Sequence, residues 1–188
     1  MKIWLFILFS LPAILLAYEV FYLQDVNDPI KYIYTVTGAS AITIIFFTTT
    51  ISMIKKWKNL VKYRKLVGLF GFFYAFLHML NFLILDMELD LMFAFEETLD
   101  KPFIYLGMIS FLALLFMAIT SIKSLYRKFN KYHKVLYLVL GLTTIHFIMA
   151  QKSLSIPQWA YLGIILLIAG FKINQISKNN NIKKQHSS

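Results

Sequence analysis

Six long apolar stretches, separated by short charged segments, constrain the fold of this chain more than any other feature. Each is close to the roughly 20 residues that a helix needs to cross a bilayer. They cover about residues 3–23, 37–54, 66–85, 103–121, 134–151 and 157–173. Because the connections between them are short, the sequence predicts an all-α integral membrane protein built as one six-helix bundle.

Basic and acidic residues between the stretches fall on opposite sides of the membrane in the predicted arrangement. If the N-terminus is cytoplasmic, 16 of the 19 Lys and Arg residues lie on the inner side, and all nine Asp and Glu residues lie in outer loops or at an outer helix end. Basic residues accumulate on the cytoplasmic side of membrane proteins, so we predict that both termini are cytoplasmic. Basic residues on the inner side would lie beside anionic lipid headgroups, which accounts for the net charge of +10. We therefore expect membrane lipid and no nucleic acid as the partner of these charges.

The spanning domain is predicted to cover residues 1–173, and a polar, disordered cytoplasmic tail to cover 174–188, which is rich in Lys, Asn and Gln. The longest outer connection, from Asp86 to Lys101, mixes acidic residues with large apolar ones. This pattern predicts a short amphipathic element on the outer membrane surface. Both an ordinary interfacial loop and a surface that docks a partner have this pattern.

Three histidines lie in or at the edge of the apolar stretches: His78, His133 and His146. An imidazole in hydrocarbon is costly unless something binds it, so such residues are candidates for a functional site. His78 and His146 each lie 12 residues from the cytoplasmic end of their stretch, at a depth of about 18 Å in a helix. Two imidazoles at equal depth on separate helices are what ligation of a b-type haem requires, and we predict His78 and His146 as its iron ligands.

His133 is harder to assign. It lies 13 residues before His146, about 20 Å along a helix, which suits a second, inner haem. However, an undistorted helix turns by about 1300° over this distance and would not put both histidines on one face. Lys65, rather than a histidine, stands thirteen residues before His78. An inner haem ligand and a boundary histidine in the headgroup region therefore both stay open, and Arg64 is a candidate to bind haem propionates or lipid phosphate.

Several small residues precede the histidines in sequence: Gly68, Gly71 and Ala75 before His78, and Gly141 before His146. They would let a flat macrocycle approach the backbone, or they would serve helix packing. The chain has no cysteine, which excludes disulfides, Cys-ligated clusters and thioether-linked haem. No nucleotide-binding glycine motif occurs, so the chain has no Rossmann unit to bind NADH itself.

Short segments between residues 28 and 152 carry a resemblance to a known family. They are Asp28-Pro29, Thr37-Gly38, Arg64-Lys65-Leu66-Val67-Gly68, Leu77-His78, Lys101-Pro102-Phe103, Leu106-Gly107, Ser110, Thr120-Ser121, His133 with Leu136-Tyr137, and Ile145-His146. In their order and spacing the chain resembles the MsrQ (YedZ) family. That family comprises the haem-binding membrane subunit of the periplasmic methionine sulfoxide reductase system, within the ferric-reductase-like transmembrane group.

The resemblance implies an electron-transfer subunit of the bacterial inner membrane rather than a stand-alone enzyme. It implies haem b, one group with a second left open, associated with His78, His133 and His146. The partner it implies is a periplasmic molybdenum-containing methionine sulfoxide reductase. The donor it implies is quinol, or a flavin such as FMN reduced by a cytoplasmic flavin reductase.

Two other functions are compatible with the residues. The chain could be a ferric-reductase-like electron carrier, which transfer of electrons from the reduced protein to chelated iron would reveal. Alternatively, the three histidines could form a proton path in a small proton-coupled transporter. A Soret absorption band distinguishes a haem protein from such a transporter.

Overall fold

The computed structural model describes residues 2–51, 58–151, 156, 158–160, 162–167, 170–171 and 174. The chain divides into two compact units, residues 1–150 and 151–188. The regular elements described in the first unit are all helical. They are α1 (Lys2–Ala17), α2 (Pro29–Ile51), α3 (Lys58–Val61), α4 (Arg64–Leu80), α5 (Leu91–Asp100), α6 (Pro102–Ile119), α7 (Lys123–Phe129) and α8 (Leu136–Ala150).

Three connections continue the helices in a different geometry. Wider π-type turns extend α1 over Tyr18–Leu23 and α4 over Asn81–Asp86, and a tighter 3₁₀ segment, Asn130–Val135, joins α7 to α8. Five helices are then long and apolar enough to cross a membrane: Lys2–Leu23, Pro29–Ile51, Arg64–Asp86, Pro102–Ile119 and Lys123–Ala150. They coincide with the first five predicted spans, so the prediction of an all-helical, multi-pass protein is confirmed.

The sixth predicted span, 157–173, lies in the second unit. An apolar helical stretch there, Gln158–Leu167, is shorter than the other five, and several positions of the predicted span lie outside the described residues. The number of six spans, the cytoplasmic placement of the termini and the domain boundary at 173 therefore stay predictions. The predicted tail, 174–188, lies outside the described residues except for Asn174.

Two helices begin at aspartates that cap them. α2 starts at Pro29, before the predicted span, because the Asp28 carboxylate accepts a hydrogen bond from the Lys31 N–H at 3.0 Å. Proline suits this first turn, where its missing N–H would have no partner. Asp90 caps α5 in the same way, accepting from the Phe93 N–H at 2.9 Å. The connection from Asp86 to Lys101, for which the sequence predicts an amphipathic element, thus contains the helix α5. Its place on the outer membrane surface stays a prediction.

Four helices, α2, α4, α6 and α8, pack into a closed ring. α2 packs mainly against α4 and α6 mainly against α8, while contacts of α4 with α6 and of α2 with α8 complete the ring. One buried cluster joins three of them through Ile45, Leu114, Leu136 and Val139. This packing fixes the relative depth of the helices that carry the candidate histidines.

The hydroxyl group of Tyr74 connects α1 to this ring. It donates to the Phe9 carbonyl at 2.6 Å and accepts from the Ala13 N–H at 3.0 Å. A regular helix joins these two backbone groups to each other, but Pro12 lies between them and favours a kink at this position. The tyrosine side chain, which is fully buried, therefore bridges the distorted turn of α1 and anchors it on α4.

Candidate haem site

The structure brings His78 and His146 together. His78 lies near the end of α4 and His146 near the end of α8, with ring centroids 6.1 Å apart and ring planes at 86°. A metal lying between two imidazoles, with bonds of about 2.0–2.1 Å and each nitrogen about 1.1 Å from its ring centre, sets the centroids roughly 6.2–6.4 Å apart. The observed separation therefore suits one metal ion held by both rings.

The His146 ring is anchored on the backbone of α6. Its Nδ1 lies 2.6 Å from the Phe103 carbonyl oxygen. Because a carbonyl can only accept, Nδ1 carries the hydrogen and Nε2 is the unprotonated nitrogen. Gly107, four residues after Phe103, makes this approach possible: a Cβ there would lie 2.9 Å from Cε1 and 3.0 Å from Nδ1 of His146. Any side chain at position 107 would collide with the ring.

The His78 ring is anchored on α2 in a similar way. Its Nδ1 lies 3.3 Å from the Thr37 hydroxyl oxygen. That hydroxyl donates to the Ile33 carbonyl at 2.5 Å, so its oxygen is available to accept from Nδ1–H. The Tyr34 ring also packs edge-on against the imidazole, with ring centroids 5.2 Å apart. A Cβ on Gly38 would lie 3.0 Å from Cε1 and 3.1 Å from Nδ1 of His78.

The two half-sites share one construction. In each half an aromatic residue precedes a glycine by four positions: Tyr34 precedes Gly38, and Phe103 precedes Gly107. The histidine that packs on the glycine follows at a similar distance, 40 residues after Gly38 and 39 after Gly107. In both halves Nδ1 is engaged, and within the described residues Nε2 makes no hydrogen bond. Metal-bound histidines usually donate their other ring N–H to a protein oxygen in this manner. Both rings are thus in the tautomer that leaves Nε2 free to bind a metal.

Sequence reasoning pointed to other glycines. A Cβ on Gly71 would lie 3.2 Å from Ile45, and one on Gly68 would lie 3.7 Å from Thr48, so these two serve packing against α2. A Cβ on Gly141 would meet nothing within 4 Å. Gly38 and Gly107, which do face the histidines, were missed as site residues because they lie on neighbouring helices. The repeated aromatic-to-glycine spacing was the signal available.

The donor set fits haem better than a metal bound by protein alone. In the part of the chain that the structure describes, no group of three or more His, Asp or Glu side chains comes together that could hold a metal. Structural and catalytic zinc usually takes three or four protein ligands. A haem iron needs at most two, since the porphyrin supplies the other four, and it is held through axial side chains such as histidine. The His78 and His146 pair meets that requirement.

His133 lies near the other end of the ring of helices and is anchored through the opposite nitrogen. Its Nε2 lies 3.0 Å from the Thr120 hydroxyl oxygen, which itself donates to the Phe116 carbonyl at 2.7 Å. The hydroxyl therefore accepts from Nε2–H. The Tyr126 ring packs edge-on at 5.1 Å. The nitrogen that is free in His78 and His146 is thus engaged in His133.

Arg64 lies near His133 rather than near the facing histidines. It begins α4 and is close enough to His133 to interact with it electrostatically. It precedes His78 by 14 residues, or about 21 Å of helix. A role for Arg64 with haem propionates would therefore concern an inner haem only.

Comparisons with known proteins agree with the expected family. Residues 36–144 match the family model described as ferric reductase like transmembrane component. The protein-methionine-sulfoxide reductase heme-binding subunit MsrQ of Pectobacterium atrosepticum is 35% identical over 156 residues, covering 77% of this chain and 78% of that protein. The protein of the same name from Brucella anthropi is 32% identical over 144 residues, covering 73% and 66%. No solved structure matches the chain.

Proposed function

We propose a function for this chain from the premise that it belongs to the MsrQ family of heme-binding subunits of protein-methionine-sulfoxide reductase, among the ferric reductase like transmembrane components. It is a multi-pass membrane protein, of the inner membrane in bacteria. Its proposed function is to hold one b-type haem between His78 and His146 and to pass electrons to a periplasmic molybdenum-containing methionine sulfoxide reductase. The electrons come from quinol or from a flavin such as FMN.

The observation that supports this proposal most strongly is the facing pair of imidazoles, 6.1 Å apart, with both Nδ1 atoms anchored. When bound, haem supplies a one-electron couple whose potential depends on its axial ligands and their hydrogen bonds. Phe103 and Thr37 hold the two rings in the ligating tautomer and raise the basicity of Nε2. Gly38 and Gly107 let each ring lie against a helix backbone.

The charge distribution supports a direction for the electrons. With six spans and both termini cytoplasmic, as we propose, Arg64 and His133 lie toward the inner side and the facing histidines lie in the outer half of the bilayer. The acidic connection from Asp86 to Lys101 also lies outside. A haem near the outer face can reduce a periplasmic partner that docks beside this connection, where α5 exposes Leu91, Met92 and Phe95.

The hydrogen bonding of His133 favours one bound haem over two. Its Nε2 is hydrogen-bonded to Thr120, and the other two histidines among the described residues pair with each other. Arg64 and His133 are then available at the inner side for lipid phosphate or for a reduced flavin.

The test is reoxidation of the reduced haem by its acceptor. Detergent-purified protein is reduced, mixed with the periplasmic molybdenum enzyme and methionine sulfoxide, and the reduced haem band is followed. We expect a catalytic amount of the enzyme to reoxidise the haem completely only when the sulfoxide is present, and a ferric chelate without enzyme to reoxidise it slowly. A band that persists while the partner is active with artificial donors would contradict the proposal. Fast decay with the chelate alone would favour a ferric reductase.

A further inference from the structure

Three residues of α2 form the surface against which the His78 ring lies. Tyr34, Thr37 and Gly38 are spaced by three and four positions, so they share one face of the helix. Thr37 contacts the ring through its hydroxyl, and Gly38 through its bare backbone. The Tyr34 ring makes a T-shaped contact with the imidazole, with the centroids 5.2 Å apart and the planes at 75°. This is a preferred arrangement of aromatic rings.

The hydrogen bond to Thr37 does not by itself fix the plane of the His78 ring. At 3.3 Å it is longer than the usual range of about 2.7–3.2 Å for an N–H···O bond. The matching bond of His146, to the Phe103 carbonyl, is 2.6 Å long and ends on the backbone of α6. His78 therefore depends more than His146 on further contacts for its orientation.

Tyr34 is itself held at both ends of its side chain. Its hydroxyl donates to the Asp86 carboxylate at 3.1 Å, and Asp86 ends the π-type turn that extends α4. Its ring packs against the buried cluster of Phe82, Met87 and Ala94. The helical segment that carries His78 thus continues to Asp86, which tethers the tyrosine that packs on His78.

The aromatic residue of the other half-site has a different role. Phe103 stands where Tyr34 stands in the first half, four residues before the glycine, but it has no hydroxyl that could be tethered. Its ring lies farther from the imidazole, at 6.1 Å, and is tilted by 34°. Phe103 anchors His146 through its backbone carbonyl, whereas Tyr34 contacts His78 through its side chain.

Resting on the proposed function, we propose that Tyr34 is a positioning residue for the haem ligand His78. Tethered by Asp86, its ring holds the His78 imidazole nearly perpendicular to that of His146. The two planes stand at 86°, and a right angle is the largest that two planes can make. Substantial rotation of the His78 ring in either direction therefore lowers this angle, so loss of the tyrosine has an effect of known sign.

The angle between the two ligand planes can be read from the oxidised haem protein. Nearly perpendicular imidazoles leave two iron d orbitals close in energy and give a highly anisotropic low-spin signal. Planes closer to parallel separate these orbitals, and the low-field resonance moves to higher field. This signal reports the orientation of the ligands, so a tyrosine that only stabilised the fold would not shift it.

The experiment compares variants of the haem-loaded, detergent-purified protein by electron paramagnetic resonance, with haem content measured on the same samples. Tyr34→Leu removes both ring and hydroxyl. Tyr34→Phe keeps the ring and removes the tether, and Asp86→Ala removes the tether from the other side. Asp86→Asn keeps an oxygen that can still accept from the phenol.

Tyr32→Leu and Tyr32→Phe are the matched controls. Tyr32 lies on the same helix as Tyr34 and also donates its hydroxyl to a carboxylate, that of Glu19. In the part of the chain that the structure describes, its ring packs on no histidine, whereas the rings of Tyr34 and Tyr126 do.

We expect Tyr34→Leu to retain most of its haem and to show the largest shift of the low-field resonance toward higher field. Tyr34→Phe and Asp86→Ala should give smaller shifts that match each other. Asp86→Asn and both Tyr32 variants should give the signal of the parent protein.

An unshifted signal in Tyr34→Leu, or equal shifts in the Tyr32 variants, would overturn the proposal. If Tyr34→Leu does not retain haem, Tyr34→Phe and Asp86→Ala decide, and unshifted signals in both would overturn it. A parent protein that binds no haem, or that gives a high-spin signal, would instead contradict the proposed function.

Discussion

The protein uses histidines of its apolar segments in two different ways, as the paired His78 and His146 and as the single His133. The first two face each other at 6.1 Å and are anchored through Nδ1. His133 stands without another histidine and is anchored through Nε2, by the Thr120 hydroxyl. The choice of anchored nitrogen separates a ring that can bind haem iron through Nε2 from one that is already satisfied by its helix neighbours.

The two regions also differ in the backbone beside them. Of the seven glycines, Gly38 and Gly107 are the two at which an added Cβ would contact a histidine, and both belong to the facing pair. A ring pressed against a helix backbone has little freedom to turn. The facing pair is therefore pre-organised, and mutations there should have larger effects than mutations around His133.

Loss of an axial ligand should have the largest effect. His78→Ala or His146→Ala leaves the iron with one protein ligand, and we expect haem per polypeptide to fall by roughly tenfold or more. His133→Ala is the matched control and should retain most haem. The measurement is haem content by pyridine haemochrome in purified protein. Loss of all haem in His133→Ala with retention in His78→Ala would reverse the comparison.

Added methyl groups at the two glycines should come next. Gly107→Ala places a Cβ 2.9 Å from His146, and Gly38→Ala places one 3.0 Å from His78, so each ring must move. We expect haem content to fall several-fold, more for Gly107→Ala. Gly141→Ala is the control, since its Cβ would meet nothing within 4 Å. Equal haem in all three variants would show that these close contacts do not position the ligands.

Removal of the Thr37 hydroxyl should change the haem rather than remove it. In Thr37→Val the Nδ1 of His78 loses its acceptor, the imidazole becomes a weaker donor, and the ferric state is less stabilised. We expect the midpoint potential to rise by roughly tens of millivolts. Thr35→Val is the control, because the Thr35 hydroxyl is on the same helix but bonds only the Lys31 carbonyl. An unchanged potential in spectroelectrochemical titration would contradict the role assigned to Thr37.

The smallest effect is expected at His133. Thr120→Val frees Nε2 of His133. If the protein binds one haem, as we propose, the haem spectrum and content should match those of the parent protein. A loss of about half the haem, or of one of two resolved potentials, would instead indicate an inner haem that His133 binds.

The sequence predicted the membrane helices and the matching depth of His78 and His146 because both follow from counting residues along the chain. The first five spans follow from apolar length, and the equal depth of His78 and His146 follows from a rise of about 1.5 Å per residue. The partners Gly38, Thr37, Phe103 and Gly107 were not predicted as site residues, and only the aromatic-to-glycine spacing pointed to the two glycines. In a membrane helix both the packed and the lipid-facing sides are apolar, so periodicity does not reveal which side faces a neighbour.

Asn81 illustrates the same limit of periodicity. It is a polar residue three positions after His78, but its burial and the lack of a partner for its Oδ1 among the described residues cannot be seen in the sequence. Its side-chain amide donates to the Ile30 carbonyl of α2, 51 residues away. Such long-range contacts are set by packing and not by local sequence.

Electron paramagnetic resonance of the oxidised protein at low temperature tests most directly whether His78 and His146 are the two axial ligands. Two imidazoles with planes at 86° leave two iron d orbitals nearly equal in energy, so we predict a highly anisotropic low-spin ferric signal. His146→Ala should convert it to a high-spin signal or remove it, while His133→Ala leaves it unchanged. A high-spin signal in the parent protein, or a low-spin signal that survives His146→Ala, would contradict ligation by this pair.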